Sequence, residues 1–226
     1  MTDIPPSVLS EASRIIGAGN TPPQELADSI SRMYTQLRKA ERPKHIYKIF
    51  TIQACSDSVT IDSSLVLRGA DIARICAHCS RAILMAVTLG AETDRLIQKT
   101  QLLDMADASV LDACASAEVE RLCDRVEAEI MAGLDDGEFL TMRFSPGYGN
   151  VPLEDSAKIV SALEASKKIG LSMTVSGMHV PIKSVTALIG ISDRPEPREK
   201  SCSFCGINQS CKYRNRGDFC GTQNIQ

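Results

Sequence analysis

Apolar positions recur with two different spacings along this chain, and each change of spacing marks a new element. "TPPQELADSISRMYTQLRKA" repeats its apolar residues at helical intervals. Thr21 stands where an N-cap would, Pro22 where a missing N–H costs nothing, and Gln24 completes a capping-box pattern. "HIYKIFTIQ" and "SVTIDSSLVL" are β-branched and partly alternating, which predicts strands. Asp71 opens "DIARICAHCSRAI", which reads as a helix, and "LMAVTLG" reads as a short strand ended by Gly90. From Ala91 to about Gly133, Leu96, Ile97, Leu102, Leu103, Val110, Leu111, Val119, Leu122 and Val126 recur at helical steps, predicting two helices that break between Asp104 and Asp107. "EFLTMRF" is a strand, and "LEDSAKIVSALEASKKIG" a helix with lysines near its end and Gly170 as its C-cap. "LSMTVS" and "KSVTALIGIS" form a last pair of strands separated by "GMHVP". Strands that alternate with helices in places and neighbour each other elsewhere predict an α+β domain, a mixed or antiparallel sheet with helices packed on it.

Composition narrows the function classes. A chain of 226 residues suggests one domain with appendages and is long enough to bury a core without covalent staples. The formal net charge is -3, with no long basic run before the C-terminal end, which argues against nucleic acid as the main partner. The longest apolar stretches, such as "AILMAVTLG", are too short to cross a bilayer, and "MTDIPPSVLSEAS" is not a secretory signal. Nine cysteines without an export signal fit a reducing cytoplasm, where thiols stay free or bind metal. Tryptophan is absent and aromatics are 4%, so aliphatic residues and methionine must build the core.

After the strand "EFLTMRF" comes "RFSPGYGN", Arg143 to Asn150. Pro146 and Gly147 at the centre of Ser145 to Tyr148 suit a type II turn, and a turn after a strand needs no further explanation. Arg143 and Tyr148 are not needed for a turn. An arginine beside a tight turn offers a fork for a carboxylate, and the turn's backbone groups with a phenol suit a polar small molecule.

The stretch "RFSPGYGNVPLEDSAKIVSALEASKKIGLSMTVSGMHVPIKSVTALIGIS" resembles the AdoMet-binding activation domain of vitamin B12 (cobalamin)-dependent methionine synthase. That family carries R-x-S/A-P-G-Y, a helix, a strand with T-x-S, a proline, and an S-V-S/T strand. Here Arg143, Ser145, Pro146, Gly147 and Tyr148 stand in register, followed by Gly170, Thr174, Ser176, Pro181, Ser184, Val185 and Thr186. "VTLGAETDRLIQK" and "ASAEVERLCDRVEAEI" extend the likeness more loosely towards the N-terminus. The resemblance implies that Arg143, Ser145 and Tyr148, with Pro146 and Gly147 shaping the turn, hold S-adenosyl-L-methionine (AdoMet). It implies two acidic partners as well. Glu120 aligns with the first, against the plain reading of a solvated helix-face charge. The expected slot of the second holds Gly137, with Asp136 and Glu138 on either side to substitute. The ligand's chemistry agrees, since its sulfonium and ammonium want carboxylates and its carboxylate wants an arginine. The implied reaction is reductive methylation: one electron reduces cob(II)alamin on a partner, and the methyl group of AdoMet traps the product. That is mainly a positioning task, and no Ser/His/Asp or Cys/His constellation stands out. His179 in its loop has no role assigned, and Cys76 and Cys79, in "CAHC", read as buried structural thiols within a helix.

From Asp193 onward the chain is polar and cysteine-rich, placing a boundary near Ser192. The expected organisation is an N-terminal helical segment (1–42), an AdoMet-binding domain (43–192) and a metal-binding tail (193–226). Cys202, Cys205, Cys211 and Cys220 give C-x2-C-x5-C-x8-C, a spacing that signals a metal site and supplies the ordering a polar tail lacks. Structural zinc usually uses two CxxC knuckles. A [4Fe-4S] cluster accepts looser spacing, suits a reductive role and is the preferred reading, with Zn as the alternative. Lys212, Arg214 and Arg216 either offset the thiolates' charge or dock an acidic electron donor such as ferredoxin or flavodoxin. No D-x-H-x-x-G signature is present, so the cobalamin must come from a partner: a methionine synthase or another corrinoid protein. A non-catalytic AdoMet sensor or assembly factor is the alternative from a different class.

Overall fold

The computed structural model describes residues 4–196 and 198, which fall into two compact units. One comprises the described residues up to Ile46, with Ala86–Glu129 and Glu164–Val185; the other comprises Tyr47–Met85, Ile130–Leu163 and the described residues from Thr186 onward. The Cys202, Cys205, Cys211 and Cys220 tail lies outside the described residues. Among those residues, no helix is long and apolar enough to cross a membrane.

The first unit is mainly helical. It holds α1 (Pro6–Ile16), α2 (Gln24–Ala40), α4 (Ala91–Gln101), most of α5 (Met105–Ala132) and the short α7 (Ala165–Lys168). Ile30, Met33, Tyr34 and Leu37 of α2 are buried, the i, i+3, i+4, i+7 stripe of an amphipathic helix, and α1 and α4 pack on α2. Gly17 ends α1 in the left-handed region at φ +94°, its N–H returning to the carbonyls of Ser13 and Arg14. The capping expectation for α2 fails. The helix begins at Gln24 behind Pro23, and no side chain caps it. Pro23 pushes Pro22 out of helical φ/ψ, so a helix starting at Pro22 with Thr21 as its cap is sterically disfavoured.

This unit buries a charged cluster. The Glu118 carboxylate, 1% exposed, accepts both guanidinium N–H groups of Arg121 at 2.6 and 2.8 Å, Arg38 at 3.1 Å and the Tyr34 hydroxyl at 3.1 Å. Arg38 also pairs with buried Glu41. Burial, reinforced by the Glu118 charge, pushes the Tyr34 phenol up to about 12, so it remains a donor. Burial beside Glu118 likewise raises the pKa of Glu41.

The second unit centres on a six-stranded sheet of order β3-β2-β1-β4-β8-β5, from β1 (Lys44–Ala54), β2 (Ser58–Ile61), β3 (Leu65–Arg68), β4 (Cys79–Thr88), β5 (Phe139–Leu140) and β8 (Ser184–Ser192). The division between units falls within β1, β4 and β8. The β1–β2, β2–β3 and β5–β8 pairs are antiparallel. "SVTIDSSLVL" is therefore two strands, turned by Asp62 and Ser63, both at positive φ. The α+β expectation holds: α3 (Ala70–Ile75) and α6 (Asp155–Ala162) join this sheet.

The region after Asp71 differs most from the sequence reading. The helix stops at Ile75, and β4 takes "CSRAI" as well as "LMAVT". Cys76 and Cys79 are not within a helix: one caps α3 and the other starts the strand. Ala82 through Val87 are all buried in this central strand, and a continuous apolar run looks alike as strand or buried helix. The break between α4 and α5 falls at 102–104, close to the expected place. The predicted helix over "LEDSAKIVSALEASKKIG" is interrupted at Glu164, which is left-handed at φ 52°, and Gly170 at φ 75° follows α7. "LSMTVS" does not pair with "KSVTALIGIS". Instead β6 (Ser172–Met173) pairs with β7 (His179–Val180), because the Thr174 N–H reaches the Met178 carbonyl at 2.8 Å and closes a local hairpin.

Candidate functional site

Arg143 to Asn150 lies in the second unit, and its start is fixed by β8. The Thr141 N–H donates to the Gly190 carbonyl at 2.9 Å, and Phe144 exchanges two 2.9 Å backbone bonds with Leu188. Only Phe139 and Leu140 of "EFLTMRF" count as strand, but the whole run is laid along β8 as far as Phe144. Arg143 thus leaves a rigid edge. The turn that follows is the one expected: Gly147 takes φ 93°, and the Tyr148 N–H donates to the Ser145 carbonyl at 3.3 Å. Pro146 is buried beneath it, whereas Tyr148 is 67% exposed and Arg143 and Ser145 are half-buried.

Two residues to which the sequence reading gave no part in the site, Asp71 and Asn150, hold the turn down. The Asp71 N–H at the start of α3 donates to the Asn150 side-chain oxygen at 3.1 Å, and the Asn150 N–H donates to the Asp71 carboxylate at 3.3 Å. This reciprocal clasp ties the Asn150 end of the loop to the start of α3, while the Phe144–Leu188 bonds hold its other end. It also explains the second glycine of the motif. Gly149 sits at φ 55°, and a Cβ there would lie 2.3 Å from an Asp71 carboxylate oxygen. Gly149→Ala is therefore expected to destabilise the fold by more than Gly137→Ala. Gly137 is also left-handed, at φ 88°, but has nothing within 4 Å of the added carbon. The left-handed backbone costs both variants about 1–2 kcal/mol; any excess in urea unfolding of Gly149→Ala measures the collision.

The two carboxylates beside Gly137 differ. Glu138 forms an ion pair with Arg81 and accepts the Asp135 N–H at 3.3 Å, whereas Asp136 is exposed. Glu120 lies in the other unit, half-buried on α5, where it lines a cleft of about 300 Å³ with Glu11, Arg14, Ser116 and Lys183. The Lys183 side chain is 11% exposed, and its ammonium lies 2.8 Å from both Asp112 and the Ser116 hydroxyl. His179 sits in β7, where burial lowers its pKa. Among the described residues, no group of three or more His, Cys, Asp or Glu is arranged to hold a metal ion.

In the second unit the structure brings together Arg143, Ser145, Pro146, Gly147 and Tyr148 on one clasped loop, and it places Glu138 just ahead of the run that leads there. The clasp had one weak trace in the sequence, an asparagine directly after a glycine that must turn. Its acidic half, Asp71, lies 79 residues away, beyond any local pattern.

No protein-family model and no curated protein matches the chain. Among solved structures it is similar to the crystal structure of the MetH reactivation domain bound to AdoHcy. The TM-score is 0.54 at 19% identity, over 86% of this chain and 73% of that one. The likeness is one of fold.

Proposed function

We propose that this chain binds AdoMet on the Arg143–Tyr148 loop and reactivates a cobalamin-dependent methionine synthase, supporting methyl transfer to a corrinoid that the partner holds. One observation carries the reading: a Pro-Gly turn, clasped at Asp71 and Asn150, presents Arg143 and Tyr148 on a fold similar to a domain solved with AdoHcy. AdoMet supplies an electrophilic methyl group on a sulfonium. The residues present suit such a ligand. Arg143 offers a fork to its carboxylate, Ser145 and Gly147 belong to a turn whose backbone a ligand can approach, and Tyr148 has an exposed ring. Holding the methyl group for in-line transfer is a matter of fixed geometry, which the clasp provides.

Cys202, Cys205, Cys211 and Cys220 are proposed as thiolate ligands of a metal centre, [4Fe-4S] with Zn as the alternative, in a cytoplasmic protein served by a ferredoxin or flavodoxin. The test is calorimetric titration of the anaerobically purified full chain with AdoMet and AdoHcy, alongside iron and zinc analysis. Saturable binding of both ligands supports the reading. No heat and no protection against thermal unfolding at saturating ligand overturns it. Corrinoid-dependent consumption of AdoMet with the partner present then separates a reactivator from a sensor. Glu120→Gln, Glu138→Gln and Asp136→Asn in the same titration test the acidic partners.

A further inference from the structure

The CxxC of "ICAHCSR" is used by nothing described so far. Its two cysteines sit at the ends of a tight turn, where Cys76 caps α3, Cys79 opens β4 and the Cys79 N–H donates to the Cys76 carbonyl at 3.0 Å. A turn closed by such an i to i+3 bond keeps its end Cα atoms within about 7 Å, the span that a disulfide bridges. Cys76 is fully buried and Cys79 is 9% exposed, so any reagent must arrive through Cys79. Gly190 on β8 makes room for that sulfur: a Cβ there would lie 2.6 Å from Cys79 Sγ and 2.9 Å from the Thr141 methyl group.

We propose that Cys76 and Cys79 form a reversible dithiol–disulfide pair, oxidised by exchange with a low-molecular-weight disulfide. The electrostatics support the direction of attack. Interaction with the neighbouring Cys76 thiol lowers the Cys79 pKa, against burial and the charges of Glu196 and Asp193, while interaction with Cys79 and burial raise that of Cys76. The Cys79 thiolate attacks one sulfur of the incoming disulfide, whose S–S bond breaks, and the departing thiolate takes up a proton. Cys76 then releases its proton to solvent and attacks Cys79 Sγ, expelling the second thiolate. Two protein thiols are oxidised and one external disulfide is reduced to two thiols. The bond would close at the far end of the six-residue helix whose first turn holds Asp71, the anchor of the Arg143–Asn150 loop. The inference stands on the turn geometry and does not depend on AdoMet.

Trypsin isolates the pair. Cleavage after Arg74 and Arg81 releases residues 75–81, which contain both cysteines and no third. The full chain is equilibrated anaerobically in buffers of rising oxidised-to-reduced glutathione ratio, acid-quenched, alkylated, digested and weighed. The expected result is conversion of peptide 75–81 from the doubly alkylated form to an unalkylated form lighter by two hydrogens, reversed by dithiothreitol, with native circular dichroism throughout. Cys76→Ser should instead collect glutathione on Cys79. A peptide that stays doubly alkylated at every ratio that oxidises the exposed Cys55 overturns the proposal, as does a Cys76→Ser protein that takes up no glutathione at residue 79.

Discussion

Replacing Glu118 by alanine is expected to cost about 3 kcal/mol of stability, because it breaks a buried ion pair. The carboxylate accepts four hydrogen bonds from three side chains, and its removal leaves the Tyr34 hydroxyl buried without the acceptor it has. Removing one partner of a buried pair costs roughly 3–5 kcal/mol. The lower end applies here, since Arg38 and Arg121 keep 33% and 24% of their side chains exposed and can turn to water. The measurement is the urea midpoint of Glu118→Ala against that of Glu92→Ala. Glu92 pairs with Arg95 at the surface, 49% exposed, where such pairs contribute about 0–1 kcal/mol. The Glu118→Ala midpoint should fall well below that of Glu92→Ala at unchanged slope. Equal midpoints would mean that the cluster contributes no more than a surface pair.

Glu118 and Glu120 illustrate what the sequence could reveal. They are two residues apart on one helix, and position alone gave no reason to prefer either as the buried one. The resemblance drew attention to Glu120, which is half-buried beside a cleft; Glu118 is the one enclosed by Tyr34, Arg38 and Arg121. Its two distant partners are 84 and 80 residues away, so no local pattern encodes the cluster. Where periodicity was long, as in α2, α4 and α5, the elements were legible, and the break expected between Asp104 and Asp107 falls close by, at 102–104. Periodicity failed at the start of β4, where Cys79 to Ile83 read as the end of the preceding helix, although the apolar run after them was read as strand. It failed again where local closure won, in the β6–β7 hairpin, whose second strand lies in the expected connection. The turn at Pro146-Gly147 was legible because its residues admit few backbone conformations, and the structure adds what sequence could not, the Asp71–Asn150 clasp that makes the turn rigid.

That rigidity makes Arg143→Ala the decisive functional variant. If Arg143 holds the ligand carboxylate, its removal deletes a charge-assisted hydrogen bond worth about 1.5–3 kcal/mol, and the Kd for AdoMet should rise roughly 10- to 150-fold. The loop should keep its place, because its position depends on the Phe144–Leu188 backbone bonds and the clasp, none of which uses the arginine side chain. The fold should therefore stay native by circular dichroism, whereas in Gly149→Ala the collision with Asp71 disturbs the clasp itself. Tyr148→Phe removes only a hydroxyl from a ring that is 67% exposed, and a neutral hydrogen bond is worth about 1 kcal/mol, so its Kd should rise less than tenfold. The order wild type, Tyr148→Phe, Arg143→Ala in weakening affinity is the pattern that a carboxylate fork on a fixed turn requires. An isotherm for Arg143→Ala that superimposes on that of the wild type would remove the arginine from the site and leave the turn as only a turn.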